Sequence, residues 1–402
     1  MNSRVAIIGT VGIPARYGGF ETLAARLAEY LGDTYEFTVY CSKSAYAKEE
    51  RKPLEGNAKL VYLPLKANGI QSILYDAISI LHALRRNDVL LVLGVSGGFM
   101  IPFVRWFTRK KIVVSVDGIE WKREKWGRLA AWYLWFAEML AVRYAHVNIA
   151  DNESIQDYTA KRYESLSCII EYGGDHVNQQ AFTNADLKRY PFLAKPYAFS
   201  VCRIEPENSI HLILEAFSTM PNRQLVLVGN WSKSEYGKAL LEKYADYPAI
   251  FLLDPIYDQR LIDAMRTNCM IYLHGHSAGG TNPSLVEAMT LGCCVFCFDV
   301  SYNRTTTQQK ALYFSDASSL AHLVTHTPYL KILGQGNAMK KIAAQRYTWQ
   351  AVAARYGDVM QRALHGTSEN SLQPKMLLLS RQELADIGAR HLEATELFYQ
   401  KR

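Results

Sequence analysis

The 402-residue sequence lacks several features that would assign it to a common class. No uninterrupted apolar run is long enough to span a bilayer, and no basic-then-apolar leader with a cleavage site precedes the first apolar run. There is also no low-complexity tract and no short-period repeat. A hydrophobic content of 49% with 21% charged residues is typical of a folded protein. We therefore expect a cytoplasmic, folded protein.

Cysteine is too scarce and too scattered to indicate a disulfide framework. The seven cysteines lie mostly in apolar runs, and the CxxC spacing of Cys294 and Cys297 has no second pair to complete a zinc site. Buried thiols in a reducing compartment are the better interpretation. An Asp-x-Asp pair, which would supply oxygen ligands to a divalent metal, is also absent, so we predict no metal and no other cofactor.

Length and charge narrow the remaining choices. A chain of 402 residues is too long for one compact core and indicates two domains with a tail. The net charge of +7 is modest. It suits anionic partners such as nucleotide phosphates or acidic lipid headgroups, but it does not require nucleic acid, and we predict no nucleic-acid partner.

Short apolar runs of the kind found in parallel sheets alternate with stretches of helical periodicity. The first half has strands predicted at 5–8, 36–40, 60–63, 89–93, 112–116 and 147–150, and helices over 71–85, 127–144 and 153–163. A polar stretch with glycines and prolines follows over 173–196. The pattern then begins again, with strands at 197–202, 224–228, 250–253, 270–273, 295–298 and 311–314 and helices over 208–218, 235–244 and 258–266.

This alternation predicts an α/β protein with two doubly wound, Rossmann-like domains whose carboxyl strand ends face a cleft. We expect an N-terminal domain over 1–178 and a C-terminal domain over 179–345. An amphipathic closing helix is predicted over 346–366, followed by a linker and a terminal helix over 367–402.

One stretch, 272–289, combines a strand, a glycine loop and a capped helix that Gly292 ends. Such a turn directs backbone N–H groups and the positive end of the helix dipole at one point, which suits a phosphate. Glu287, on the first turn of that helix, is placed to reach hydroxyls. An ordinary turn with good caps is the alternative. The candidate binding residues are His274, His276, Gly279, Gly280, Thr281, Asn282, Ser284, Leu285 and Glu287.

A second glycine-containing helix start follows the first strand. The loop after 5–8 does not have the G-x-G-x-x-G spacing of a dinucleotide site, so an NAD site is not predicted. Gly18 and Gly19 can still present N–H groups to a phosphate or a sugar. A flexible connector is the alternative.

Three cations follow strands of the second domain. Arg203, at the end of the strand at 197–202, is suited to a bidentate contact with a diphosphate, although a surface ion pair with Glu205 or Glu207 is the alternative. Asn230, Lys233 and Lys238 follow the next strand, on the same edge of the sheet. The lysines are candidate phosphate partners, and solvated lysines are the commoner case.

In the first domain, Asp117 closes the strand at 112–116 and Glu120 follows it. Either carboxylate could hold sugar hydroxyls, and an Asp-Gly turn is the alternative. The stretches 99–111 and 121–136 mix basic and aromatic residues. Contact with a membrane surface and helix packing inside the domain explain this mixture equally well.

These motifs together resemble a retaining, GT-B-fold glycosyltransferase of family 4. The first half is similar to the domain found in bacterial rhamnosyltransferases of capsule and O-antigen synthesis. The residues that carry the resemblance, over roughly 1–365, are those of segments 9–22, 116–123, 203–208, 229–231 and 274–289.

The resemblance implies transfer of a sugar from dTDP-β-L-rhamnose, bound by the second domain, to a lipid-linked saccharide bound by the first. The basic and aromatic stretches 99–111 and 121–136 are the basis for expecting peripheral contact with the inner membrane. Asp117, Arg203 and Glu287 are the implied catalytic residues, with Glu287 on the nucleotide ribose. For the acceptor we assign Arg16, Tyr17, Glu120 and Trp121.

The sequence departs from the family pattern at two positions. Gly279 stands where the family has the first of two glutamates, and Asn208 replaces the lysine of its diphosphate clamp. The clamp is therefore incomplete unless Lys233, Lys238 or Arg16 completes it. A UDP- or GDP-sugar donor, an epimerase or hydrolase, and a non-catalytic sugar-binding protein remain as alternatives.

Overall fold

The computed structural model describes residues 2–15, 18–116, 118–123 and 126–366. Arg16, Tyr17, Asp117 and the predicted linker and terminal helix over 367–402 lie outside the described residues. The chain divides into two compact units. One contains the chain up to Lys122, then Trp126–Glu171 and the chain from Val352, and the other contains Arg123 and Tyr172–Ala351.

The first unit is built on an eight-stranded sheet with the strand order β3-β4-β2-β1-β5-β6-β7-β8. All its strand pairs are parallel except β3–β4. Its elements are β1 (Ser3–Ile8), α1 (Gly19–Leu31), β2 (Tyr35–Ser42), β3 (Leu54–Glu55), β4 (Ala58–Leu63), α2 (Ser72–Ala83), β5 (Val89–Leu93), α3 (Ile101–Phe107), β6 (Lys111–Val116), α4 (Arg128–Tyr144), β7 (Val147–Ala150), α5 (Glu153–Tyr163) and β8 (Cys168–Ile169).

The second unit contains a six-stranded parallel sheet with the order β11-β10-β9-β12-β13-β14. Its elements are α6 (Asn184–Arg189), β9 (Tyr197–Val201), α7 (Ile210–Ser218), β10 (Gln224–Val228), α8 (Glu235–Tyr244), β11 (Ile250–Leu253), α9 (Gln259–Thr267), β12 (Ile271–His274), α10 (Pro283–Leu291), β13 (Val295–Phe298), α11 (Ser301–Thr306), β14 (Leu312–Phe314), α12 (Ala317–His326) and α13 (Tyr329–Arg346). The last helix, α14 (Trp349–His365), begins in this unit and ends in the first.

The apolar runs of the sequence become strands because both faces of each sheet are covered. In β10, Leu225 and Leu227 belong to the hydrophobic cluster on one face, whereas Val226 and Val228 belong to the cluster on the other. All four side chains are at most 1% exposed. Since successive strand residues point to opposite faces, a strand covered on both faces must be apolar throughout. The predicted pair of parallel-sheet α/β domains with C-terminal helices is confirmed.

In each sheet, successive strands are added first toward one edge and then toward the other, so the strand order has a switch point. In the first unit this point lies between β1 and β5, and in the second it lies between β9 and β12. Loops that leave neighbouring strands in opposite directions open a crevice at the carboxyl edge, where ligands of such sheets bind. None of the helices within the described residues has the length and apolar character needed to cross a membrane.

Gly9 allows the ends of β1 and β5 to lie in contact. Its φ is +92°, and a Cβ atom there would lie 2.0 Å from the carbonyl oxygen of Leu93. Any other residue would therefore meet both an unfavourable backbone conformation and a backbone clash.

We expect Gly9→Ala to destabilise the protein by about 1–2 kcal/mol through the left-handed backbone and by about 1–3 kcal/mol more through overpacking. Gly69→Ala is the matched control, since Gly69 also has a positive φ of +71° but no atom within 4 Å of an added Cβ. Differential scanning calorimetry of the two variants measures the difference. Equal losses of stability would show that the contact with Leu93 relaxes without cost.

Candidate functional site

Two loops form one wall of the crevice in the second unit. Asn208 follows β9 and donates from Nδ2 to the carbonyl oxygen of Arg203 at 2.6 Å. Ser277, after β12, donates from its backbone N and its Oγ to the carbonyl oxygen of Glu207, at 2.8 and 2.9 Å. A Cβ at Gly275 would lie 2.2 Å from the carbonyl oxygen of Asn208. The β9–α7 and β12–α10 loops are thus held side by side at the carboxyl edge.

The glycine loop leads into a capped helix, as the sequence predicts. Asn282 Oδ1 accepts from the backbone N of Ser284 at 3.1 Å, and Pro283 is the first residue of α10. Gly279 has φ +123° and no atom within 4 Å of an added Cβ, so its backbone borders open space. Gly292 ends the helix with φ 80°. The positive dipole end of α10 therefore lies at the crevice, an arrangement suited to an anion.

His274 and His276 lie at the end of β12 with parallel rings, 4.3 Å between centroids and 6° between planes. Burial lowers the pKa of His274 to about 3. Burial also lowers the pKa of His276, and the positive charge of Arg203 contributes. Both rings are therefore neutral. Among the described residues, neither ring nitrogen of His274 has a hydrogen-bond partner. Because buried polar atoms are normally paired, these nitrogens suit the hydroxyls of a ligand.

Arg203 keeps a partly exposed guanidinium at the same edge. Its Nη1 lies 3.5 Å from Glu205 Oε2, and its side chain is 40% exposed. The ion pair that the sequence left as an alternative is therefore present. However, the separation exceeds that of a normal N–H···O bond, and a half-exposed pair is weak. The contact leaves Arg203 able to bind a ligand oxygen.

Glu287 lies within α10, but on its second turn and not on the first as predicted, since the helix begins at Pro283. The carboxylate contacts two side chains, of which Arg266 is buried and His176 is 13% exposed. Arg266 Nη2 pairs with Oε2, and His176 Nε2 lies 3.2 Å from Oε1. Burial raises the pKa of Glu287, but the charge of Arg266 and the bond from His176 outweigh it, so the pKa is below its ordinary value. Glu287 is therefore ionised at neutral pH.

The tautomer of His176 follows from its second partner. Trp349 donates from Nε1 to His176 Nδ1 at 3.0 Å. An indole nitrogen only donates, so Nδ1 must be the acceptor and Nε2 must carry the proton that is donated to Glu287. His176, Arg266 and Trp349 were not predicted as site residues from the sequence. Arg266 alone left a signal, because it is a charged residue on the buried face of the amphipathic helix α9.

The loop after β10 is fixed by a buried aromatic residue. Trp231 is 1% exposed and donates from Nε1 to the carbonyl oxygen of Leu253 at 3.0 Å. Its neighbours Asn230 and Lys233 are exposed. Lys238 lies farther along, within α8, where its Nζ is 2.7 Å from Glu235 Oε1. Of the two lysines, Lys233 is the one that the loop itself presents, and the roles of both remain predictions.

Gly18 and Gly19 lie in the first unit, at the start of α1. A carboxylate of the protein occupies the adjacent donors, because Glu21 Oε1 accepts from the backbone N of Val11 at 2.8 Å and from Thr10 Oγ1 at 3.3 Å. Burial raises the pKa of Glu21. Binding of a ligand by the two glycines remains a prediction.

The predicted acceptor residues Glu120 and Trp121 form a short 3-10 turn in the first unit. Glu120 Oε1 accepts from Trp126 Nε1 at 3.0 Å, and Trp121 Nε1 donates to the hydroxyl of Tyr158 at 3.0 Å. Both side chains therefore have partners within the protein. Their contact with an acceptor remains a prediction, like those of Arg16, Tyr17 and Asp117.

The structure thus gathers one set of predicted residues, in the second unit, at a single sheet edge. Arg203, the two stacked histidines, and the segment 279–285 with Gly280, Thr281 and Leu285 border the β9/β12 crevice. Within the part of the chain that the structure describes, no group of three histidine, cysteine or acidic side chains is placed to hold a metal. The arrangement is suited to a ligand with an anionic part and hydroxyl groups.

Comparison with protein families gives two matches. Residues 2–175 match a domain of unknown function, DUF1972, and residues 185–322 match Glycosyl transferases group 1. No curated protein sequence matches the chain significantly.

Several solved structures share the fold at low sequence identity. A sucrose-phosphate synthase from Thermosynechococcus elongatus has a TM-score of 0.76 and 14% identity over 91% of this chain and 100% of its own. Anabaena HepE in complex with UDP-glucose has a TM-score of 0.66 and 14% identity over 89% and 99%. An α,α-trehalose 6-phosphate synthase from Burkholderia multivorans has a TM-score of 0.69 and 11% identity over 90% and 96%.

These likenesses confirm the GT-B fold of two parallel-sheet domains that the resemblance implied. The crevice built from the β9–α7 and β12–α10 loops falls inside the second matched region. The chain therefore combines an N-terminal region that matches DUF1972 with a C-terminal region that matches Glycosyl transferases group 1.

Proposed function

We propose that this protein is a glycosyltransferase that binds a nucleoside-diphosphate sugar in the β9/β12 crevice and transfers the sugar to a saccharide acceptor. The match of residues 185–322 to Glycosyl transferases group 1 carries the proposal. The crevice supports it, because an anion site at the start of α10 adjoins unpaired buried imidazoles that suit sugar hydroxyls. The structure of Anabaena HepE with UDP-glucose shows that a protein of this fold binds such a donor.

In the proposed reaction, the bond between the anomeric carbon and the diphosphate oxygen breaks. A bond from that carbon to an acceptor hydroxyl oxygen forms on the same face of the sugar, and the hydroxyl proton is released. The nucleoside diphosphate leaves with the bonding electrons. Arg203 and the positive dipole end of α10 stabilise the charge that develops on it. We assign no nucleophile.

Glu287 binds the ribose hydroxyls of the donor in this proposal. An ionised carboxylate has about four acceptor positions, and Arg266 and His176 use two of them. Arg266 therefore has a second role besides stabilising the fold, since it keeps Glu287 ionised and able to accept from a hydroxyl.

We further propose dTDP-β-L-rhamnose as the donor and a lipid-linked saccharide of cell-surface polysaccharide synthesis, met at the cytoplasmic face of the membrane, as the acceptor. The support is the resemblance of the N-terminal half to rhamnosyltransferases. Because the proposed transfer retains the β configuration at the anomeric carbon of rhamnose, the product is β-linked. The second candidate is a UDP-sugar donor, which is favoured by the likeness to HepE.

Arg203→Ala is expected to weaken binding of the nucleoside diphosphate by about 10- to 100-fold, since a hydrogen bond to a charged group contributes about 1.5–3 kcal/mol. Isothermal titration of the full-length protein with dTDP and UDP measures this. Arg223→Ala is the matched control, because Arg223 is exposed at the opposite, amino edge of the same sheet. If the two variants bind equally well, the diphosphate does not lie at Arg203.

The donor is identified by turnover. Given a lipid-linked saccharide, the protein is expected to consume dTDP-β-L-rhamnose faster than UDP-glucose and to release dTDP only when acceptor is present. Mass spectrometry of the product and release of nucleotide measure this, with Arg203→Ala as the inactive control. Donor loss without acceptor would indicate an epimerase or hydrolase. Binding without turnover would indicate a sugar-binding protein.

Arg266→Met is expected to destabilise the second unit by about 3–5 kcal/mol, because it leaves the carboxylate of Glu287 buried and uncompensated. The double variant with Glu287→Gln should be more stable than Arg266→Met alone. Arg260→Met is the control on the same helix, since Arg260 pairs with Asp186 at 2.7 Å but is 37% exposed. The loss of stability in Arg260→Met should be clearly smaller, because solvent-exposed ion pairs contribute little. Calorimetry that gives equal losses for Arg266→Met and Arg260→Met would contradict a buried pair.

A further inference from the structure

Helices α2, α3 and α4 form one layer on a single face of the first sheet. They connect β4 to β5, β5 to β6 and β6 to β7, and these crossovers all move across the sheet in the same direction. Right-handed crossovers in one direction place their helices on one face. Close contacts at the turn before α3 confirm that the helices are neighbours. A Cβ at Gly97 would lie 2.7 Å from Asp76 of α2, and one at Gly98 would lie 2.0 Å from Ala137 of α4.

The outer face of α2 is apolar where a surface helix is normally polar. Leu74, Ile78 and Leu81 follow one another at spacings of four and three residues, so they share one side of the helix. They are 58%, 44% and 53% exposed. The opposite side of α2 packs into the unit through Tyr75 and Ile80, which are fully buried.

The outer faces of α3 and α4 continue this apolar surface with aromatic rings. Phe103, Trp106 and Phe107 of α3 are 53%, 62% and 78% exposed, and Trp132 of α4 is 61% exposed. Ring contacts hold them in place, since Trp106 packs edge-on against Tyr144 at 5.2 Å and Phe103 stacks on Phe107 at 6.5 Å. An exposed apolar surface of this extent indicates a docking site.

The exposed charged side chains of these three helices are all basic. All residues of α2, α3 and α4 are described, and their only carboxylates, Asp76 and Glu138, are 2% and 0% exposed. Between residues 70 and 144 the sequence has eleven lysines and arginines against six acidic residues, which accounts for most of the net charge of +7. Arg128 and Arg143 lie exposed at the two ends of α4, and Arg109 lies exposed after α3.

We propose that the exposed faces of α2, α3 and α4, here called the docking layer, bind the surface of an anionic lipid bilayer. Tryptophan and phenylalanine among arginines are typical of segments that lie in the headgroup region, where the rings enter the apolar boundary and the guanidinium groups meet lipid phosphates. A second copy of the chain fits less well, because a two-fold contact would bring two basic surfaces together. The proposal does not depend on transfer activity.

The test is flotation of the full-length protein with vesicles of phosphatidylcholine alone and with roughly one-third phosphatidylglycerol. Binding is expected to the anionic vesicles and to weaken as salt is raised. The double variant Trp106→Ser with Phe107→Ser should bind at least about tenfold more weakly, since it removes two rings from the apolar face. Tyr329→Ser with Leu330→Ser is the matched control, because these residues are 66% and 80% exposed on α13 in the other unit.

Each outcome decides the proposal. Loss of binding in the first double variant but not in the second, with calorimetric transitions and dTDP binding unchanged in both, supports the docking layer. If the unmodified protein does not bind anionic vesicles, the bilayer proposal is overturned. The docking layer would then be covered by another part of the chain or by another protein. A dimer in sedimentation velocity that the first double variant dissociates, without vesicle binding, would assign the layer to a second copy instead. Failure of either donor experiment would not affect these results.

Discussion

The carboxylate of Glu287 is largely buried, with 15% of its side chain exposed, and its charge is balanced by Arg266 beside it. An isolated carboxylate removed from water would take up a proton, whereas here the charge of Arg266 and the bond from His176 hold its pKa below the ordinary value. The ion pair joins α10 to α9. His176, which precedes α6, and Trp349, the first residue of α14, continue this chain of side-chain contacts. The position of the anion site at the start of α10 therefore depends on a charge balance deep in the second unit.

The same unit shows how the departures from the family pattern are accommodated. Asn208 is 1% exposed and uses its side-chain amide to hold the backbone of Arg203, so this position orients the clamp and adds no charge to it. Gly279 has no side chain and borders open space, whereas the family that the sequence resembles has a carboxylate at this position. If a diphosphate binds at this edge as proposed, Arg203 and the dipole of α10 would balance its charge in place of the family's clamp lysine.

The sequence predicted the strands well, because strands covered on both faces are apolar runs, and β5, β7, β10, β11 and β13 begin and end where expected. It did not predict α11, α12 and α13, whose polar residues and glycines obscure the helical period. In α13, Gly336 is required by packing, since a Cβ there would lie 2.3 Å from the carbonyl oxygen of Gly292. The loops of the site were predictable from strand ends and caps. The partners of Glu287 were not, because His176 lies far away in the sequence and no local pattern connects the two.

In the first unit, the geometry of a doubly wound sheet separates the proposed docking layer from the crevice at the carboxyl edge. Crossover helices cover the faces of such a sheet, whereas ligands bind at its carboxyl edge. An apolar, basic surface on the α2–α4 layer therefore occupies a face, whereas the β1/β5 switch point, with Gly9 and Glu21 beside it, lies at the edge. If the docking layer lies on a bilayer, the carboxyl edge of the first sheet lies beside the lipid headgroups and is not inserted among them. An acceptor whose lipid stays in the membrane can then present its saccharide at that edge without leaving the bilayer, which is the geometry that a lipid-linked substrate requires.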